Sequence, residues 1–325
     1  MTCDLWDSRL EKVMGVEGVD GATAYLYAHL SRYADRLSGT RVGAGSSTMA
    51  TKTRAAADGI VQAYDPIWSE IRREAASAMS AEPALGSFIY ATLLSHDRLE
   101  DAICHRLAQR LAHSEVDGVL INQTFQGVLE TRPELGAIFR ADLAAVFDRD
   151  PACNRYIDPL LYFKGFHALV THRFANALWH DGRRDFALFL QSQSSRTFNV
   201  DIHPAAKFGQ GIMLDHATGI VVGETAVVGN NCSFLHGVTL GGSGKETGDR
   251  HPKIGESVLI GAGAKVLGNI TVGDGSRVAA GSVVLAAVPA HVTVAGVPAK
   301  IVGSAGCAEP ALEMEQTWVD DFGGL

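Results

Sequence analysis

The chain has 325 residues, 46% hydrophobic and 20% charged, with a formal net charge of −8. That is enough material for one large domain or two ordinary ones. The acidic balance excludes nucleic-acid binding, which needs clustered Lys and Arg, and no apolar run approaches the roughly 18 residues of a membrane span. The cysteines, Cys3, Cys104, Cys153, Cys232 and Cys307, include no C-x-x-C. They read as thiols of a reducing compartment, not as a disulfide framework or a zinc knuckle.

Residues 1–65 read as a weakly structured extension. Asp4, Asp7, Glu11, Glu17 and Asp20 make its start unlike a signal peptide. Residues 38–47, SGTRVGAGSS, are linker-like. Three readings stand: Met49 is the true start, residues 31–57 assist organelle import, or the segment is a disordered tail. The expected location is the cytoplasm, or a plastid or mitochondrion if the extension is a targeting segment.

Residues 66–200 carry a helical period. Leu99, Ile103, Leu107 and Leu111 recur every four positions. A second run, Leu135, Ile138, Phe139, Leu143 and Val146, follows Pro133 and stops at Asp150-Pro151. A longer apolar helix is expected from Leu160 to Trp179, and another from Phe186 to Gln193. This is an all-α domain, suited to docking or oligomerisation.

At Asp201 the period changes to six. First positions fall at Ile202, Phe208, Leu214, Ile220, Ala226, Cys232 and Val238, then at Ile254, Ile260, Val266, Val272, Val278 and Val284. Residues 244–253 interrupt the repeat as a ten-residue insertion. Three hexads make one triangular coil, so first positions point inward and stack on their equivalents. Gly209, Gly255, Gly261 and Gly273 at second positions suit the corner backbone. Glu224, Asn230 and His236 break the usual small residue at the fifth position. Residues 201–303 form this solenoid, and residues 304–325 a C-terminal tail.

The segments Asp201–Gly219 and Gly241–Lys253, with the turn Asp150-Pro151-Ala152-Cys153, resemble serine O-acetyltransferases of the hexapeptide-repeat acyltransferase family. The resemblance runs from about Pro66 to Met314. It implies an α+β architecture, a helical domain followed by a left-handed parallel β-helix. It also implies a homotrimer or a dimer of trimers, with sites between subunits, acting in cysteine biosynthesis.

Acetyl transfer to an alcohol needs a general base for the hydroxyl proton and a carboxylate to orient that base. His216 and Asp201 supply this pair, and the resemblance gives them those roles. A substrate carboxylate calls for Arg250 and His251. The substrate ammonium calls for carboxylates, and Asp150 and Asp215 match the family's positions. Acetyl-CoA is the expected co-substrate, lying along Gly242, Ser243, Ala262, Gly263 and Ala280, with Arg277 or Lys300 near its phosphates. No metal is implied. L-serine is the expected acceptor and L-cysteine an expected inhibitor. The tail Thr317–Leu325, ending in Leu where family tails end in Ile, is a candidate ligand of O-acetylserine sulfhydrylase. Three other readings are weighed: a hexapeptide-repeat acyltransferase for a sugar or another amino acid, a β-helical zinc enzyme of the carbonic-anhydrase kind, and a non-catalytic assembly module.

Overall fold

The computed structural model describes residues 65–244 and 247–316. The expectations for the extension before Asp65 and for the tail after Gln316 lie outside these residues. The four-residue apolar spacing forms helices. They are α1 (Pro66–Ala81), α2 (Gly86–Ile89, continued by a π-helical turn), α3 (Leu99–Leu111), α4 (Gly118–Thr131), α5 (Leu135–Arg149), α6 (Ile157–Leu161), α7 (Lys164–His180) and α8 (Arg184–Phe198). Helix α7 is buried almost all round, and Phe174 on it stacks on Phe125 of α4 at 4.0 Å. The helix expected from Leu160 to Trp179 is in fact two, α6 and α7, parted at Tyr162 and Phe163. The restart brings Gly165, at the head of α7, against the carbonyl of Leu214: an added Cβ there would lie 1.9 Å from that oxygen.

Helix α8 ends on Asn199 in the left-handed region, φ 57°, and the chain enters a solenoid of short strands. The first sheet holds β1 (Val200–Ile202), β4 (Ile220–Val222), β7 (Thr239–Gly241), β10 (Lys265–Leu267) and β13 (Val283–Val284). The second holds β2 (Lys207–Phe208), β5 (Val227–Val228), β8 (Lys253–Ile254) and β11 (Thr271–Val272). The third holds β3 (Met213–Leu214), β6 (Ser233–Phe234), β9 (Leu259–Ile260) and β12 (Arg277–Val278), closed by the antiparallel pair β14 (Val292–Gly296) and β15 (Ala299–Ser304). All other pairings are parallel, and the solenoid matches a left-handed β-helix. A short helix, α9 (Pro310–Glu313), then returns to pack Ala311 and Leu312 on Leu235 and Leu259.

The register corrects the sequence reading. Leu214 stacks on Phe234, Ile202 on Val222 and Phe208 on Val228. Ile220, Ala226, Cys232 and Val238 are therefore not the equivalents of Ile202, Phe208 and Leu214; those are Val222, Val228, Phe234 and Leu240. The first coil is two residues longer than the coil that sets Lys265 opposite Val283. The ten-residue interruption is thus two separate insertions. Two residues enter at the corner Asp215–Gly219, and eight enter between Leu240 and Ile254. In the corrected register Gly223, Gly229 and Gly241 take the second position, while Glu224, Asn230 and His236 move to the third. The second-position glycines serve close packing, not unusual backbone angles. A Cβ on Gly229 would lie 2.6 Å from the carbonyl oxygen of Gly255 in the next coil.

The helices are pinned to the solenoid by a buried pair. Arg173 Nε and Nη2 donate to Asp142 at 2.6 and 2.9 Å, and Asp142 also accepts from the Ile212 N–H at 3.0 Å. Every partner is hydrogen-bonded, the condition under which a buried ion pair is tolerated.

Candidate active site

The two-residue insertion builds a strained corner. His216 and Ala217 both have positive φ, 53° and 57°, a conformation that disfavours residues with a Cβ. Local bonds hold it: Ala217 N–H to Asp215 O at 2.5 Å, Thr218 N–H to His216 O at 2.8 Å, and Gly219 N–H to Asn199 O at 2.7 Å. Helix α7 braces the corner from outside through Gly165, and Lys164 Nζ donates to Thr218 Oγ1.

The corner buries Ala217 and turns the His216 side chain out, 78% exposed. His216 Nε2 lies 3.9 Å from Asp215 Oδ1, and the His236 ring meets the His216 ring edge-on at 6.2 Å. Burial raises the Asp215 pKa; the nearby His216 opposes the shift and Asp150 adds to it. A cavity of about 650 Å³ is lined by Asp150, Lys164, Asp215 and His216 together with Val146, Phe163, Phe166 and Met213. Asp150 caps its own turn, accepting from the Ala152 N–H at 2.8 Å. Two carboxylates of like charge in one cavity favour a cation between them.

The remaining candidates gather at the corner that leaves the first sheet toward the second. There the loop before β8 folds onto Gly223, Glu224 and Thr225. Arg250 Nη2 donates to Glu224 at 2.8 Å. Thr225 Oγ1 accepts from the N–H groups of Arg250 and His251 at 3.0 and 3.1 Å. The Thr225 N–H in turn donates to His251 Nδ1 at 3.2 Å. Because Nδ1 accepts, the proton of the neutral ring belongs on Nε2. Burial, then the Arg250 charge, lowers the His251 pKa, which keeps the ring neutral. The ring lies so close to Gly223 that a Cβ there would be 2.0 Å from Nε2.

Asp201 lies on β1, in the sheet between the two corners. It accepts from Gln191 Nε2 at 2.6 Å and lies near His203. Among the described residues, no hydrogen bond or ion pair joins it to His216. One chain therefore brings Asp150, Asp215 and His216 together at one corner and Arg250 and His251 at another, with Asp201 on the sheet between them.

The residues expected along the CoA arm divide as well. Ala262, Gly263 and Ala280 stack in the His216 corner, coil upon coil, and the space beside Gly263 and Gly281 is open. Gly242 and Ser243 start the loop beyond β7, and Lys300 is exposed on β15. Arg277 departs from expectation: it is 5% exposed, and its Nη1 donates to the Ala305 carbonyl at 3.0 Å. The returning C-terminal segment covers it, which sequence period alone does not reveal. Sequence reasoning missed Lys164, Gly165, Gly223 and Thr225. Each packs on or hydrogen-bonds to a residue of one of these corners far along the chain, so none carries a local signal. Among the described residues no group of three or more His, Cys, Asp or Glu could hold a metal ion.

Comparison with known proteins follows the same division. The family model described as "Serine acetyltransferase, N-terminal" matches residues 67–171, and "Bacterial transferase hexapeptide (six repeats)" matches residues 251–286. The serine acetyltransferase of Salmonella typhimurium is 54% identical over 250 residues, 77% of this chain and 92% of that protein. The crystal structure of serine acetyltransferase from Brucella abortus in complex with coenzyme A has a TM-score of 0.74 at 60% identity, over 75% of this chain and 98% of that one. A serine acetyltransferase solved in complex with cysteine has a TM-score of 0.76 at 49% identity, over 78% of this chain and 98% of that one. Similar to these enzymes through both its helices and its solenoid, the chain belongs to the serine acetyltransferase family and is an acyltransferase.

Proposed function

We propose that the protein transfers the acetyl group of acetyl-CoA to the hydroxyl of L-serine, releasing O-acetyl-L-serine and CoA. The observation that carries this reading is the strained corner that holds an exposed imidazole, His216, beside two carboxylates in one cavity. The serine ammonium sits between Asp150 and Asp215, whose raised pKa falls once a cation is bound. The serine carboxylate takes Arg250 and the Nε2–H of His251. His216 removes the hydroxyl proton as the oxygen attacks the thioester carbonyl. The tetrahedral intermediate then expels the thiolate, which takes up the proton. No acyl-enzyme is required.

Asp201 orients the imidazole and stabilises its charged form. Since one chain holds Asp201, Arg250 and His251 apart from His216, a complete site takes one corner from each of two copies. The first sheet lies between those corners, and Val221 on its outer face is 42% exposed. That supports a homotrimer packed around this sheet, and a dimer of trimers through the helices. The pantetheine arm runs down the corner of Ala262, Gly263 and Ala280, past Gly242 and Ser243, with Lys300 at the phosphates. The relative solved with cysteine supports L-cysteine as an inhibitor competing for the serine pocket. The cytoplasm suits this chemistry, and the tail remains a candidate ligand of the sulfhydrylase.

The test follows thiol release from acetyl-CoA with each common amino acid. Release is expected with L-serine, and His216→Ala is expected to lose at least about a hundredfold in kcat, the lower range for a general base. Activity within a few-fold of the parent removes His216 from the mechanism. Mixing His216→Ala with His251→Ala subunits is expected to restore activity, because some interfaces then carry both intact corners.

A further inference from the structure

Glu74 on α1 is 5% exposed, and among the described residues no Lys, Arg or His forms an ion pair with it. A buried carboxylate without a cation is costly unless hydrogen-bonded. Its Oε2 accepts from the Ile157 N–H at 3.0 Å, and the Tyr156 N–H bonds it as well. These two groups close the loop that begins at Asp150. The loop brings Asp150, Pro151 and Ala152 to the cavity wall. It starts on the last turn of α5, and Glu74 fastens its far end from a helix about 80 residues earlier in the chain. The neighbouring Tyr156 is fully buried and stacks on Phe147 at 4.3 Å.

We infer that Glu74 is a positioning residue, which fixes the Asp150 loop and thereby sets the affinity for the ammonium of the amino-acid substrate. The inference rests on the proposed role of Asp150. Burial pushes Glu74 up to about 7 against the opposing backbone N–H groups. Glu70 on the same helix and Asp158 across the loop push the same way. Arg155, on the loop itself, is paired with Asp158 at 2.6 Å and feels the Glu74 charge only as a weaker effect. Cys153, its thiol pushed up to about 12 by burial, stays neutral. Near neutral pH Glu74 therefore exchanges between two forms. The ionised form accepts both N–H groups with charge-assisted bonds and holds the loop more tightly than the protonated form.

The experiment measures KM for serine, KM for acetyl-CoA and kcat from about pH 6 to about pH 8, a span set by the raised carboxyl. It uses the parent, Glu74→Gln, Glu74→Ala and Asp150→Asn. In the parent, serine KM falls as pH rises and both raised carboxyls, Glu74 and Asp215, ionise. In Glu74→Gln, which cannot ionise, the part of that limb due to Glu74 is lost, and the part due to Asp215, raised by its own burial, stays. In Glu74→Ala, serine KM rises about tenfold, with kcat and acetyl-CoA KM within about threefold, the scale of a lost charged hydrogen bond. Glu74→Gln that keeps the parent's whole pH limb overturns the inference, and decides it even if Glu74→Ala does not fold. So does folded Glu74→Ala with unchanged serine KM where Asp150→Asn raises it. An unchanged serine KM in Asp150→Asn overturns the role of Asp150 itself, and this inference with it.

Discussion

The two candidate-site corners of the prism are built in opposite ways. At His216 the chain inserts two residues, accepts two left-handed non-glycine conformations and leaves the imidazole exposed. At His251 it inserts eight, and the loop folds back so that the imidazole is 7% exposed and bonded to Thr225. A short insertion cannot relax, so its strain fixes one side chain in open space. A long insertion can satisfy its own hydrogen bonds, so it fixes a side chain by burial. The first arrangement suits a group that must gain and lose a proton. The second suits one that must stay neutral and donate.

The contrast is most sharply broken at the brace. Gly165→Ala places a methyl 1.9 Å from the Leu214 carbonyl, a backbone atom that cannot swing away. The expected cost is about 1–3 kcal/mol of unfolding free energy, the usual range for overpacking, read by urea denaturation. A drop in kcat larger than the change in serine KM is expected with it, because the corner bearing His216 must shift. Stability and kcat equal to the parent would show that α7 does not hold the corner.

The matching change at the other corner is Gly223→Ala. Its methyl meets the His251 ring, a side chain that can rotate. Stability should fall less than in Gly165→Ala. Serine KM should rise about tenfold, near the value of one charge-assisted bond, with kcat little changed. A kcat loss without a KM effect would place His251 outside the carboxylate site.

The smallest effect is expected at Ala217→Gly. Relief of a left-handed alanine is worth about 1–2 kcal/mol, offset by about 0.4–1 kcal/mol of extra freedom in the unfolded chain. Thermal unfolding should shift upward by a net of about 0–1.6 kcal/mol, with a modest fall in kcat as the corner loosens. Destabilisation would show that the buried methyl outweighs the strain.

Much of this was legible in the residues. The four-residue spacing marked Leu99–Leu111, and the hexads marked the solenoid from Ile202 onward. Asp215, His216, Arg250 and His251 stood out by type. The register was less legible for a definite reason. Within each hexad the first residue and the one two before it both face inward, since side chains alternate along a strand. Ile220 and Val222 are both buried, as are Val238 and Leu240. A shift of two therefore preserves the apolar period, and the insertion beside His216 was absorbed into the longer one.

By itself, the sequence determined the change from helix to solenoid, the chemical types at the site and the resemblance to an acyltransferase family. All of these are written in local period and side-chain identity. Only the tertiary structure decided that two residues enter at His216, that Asp150 and Asp215 share a cavity, that Glu74 bonds the far end of the Asp150 loop and that Arg277 is covered. Those are contacts between segments far apart in the chain. They depend on which backbone can approach which, a matter of packing that no local pattern encodes.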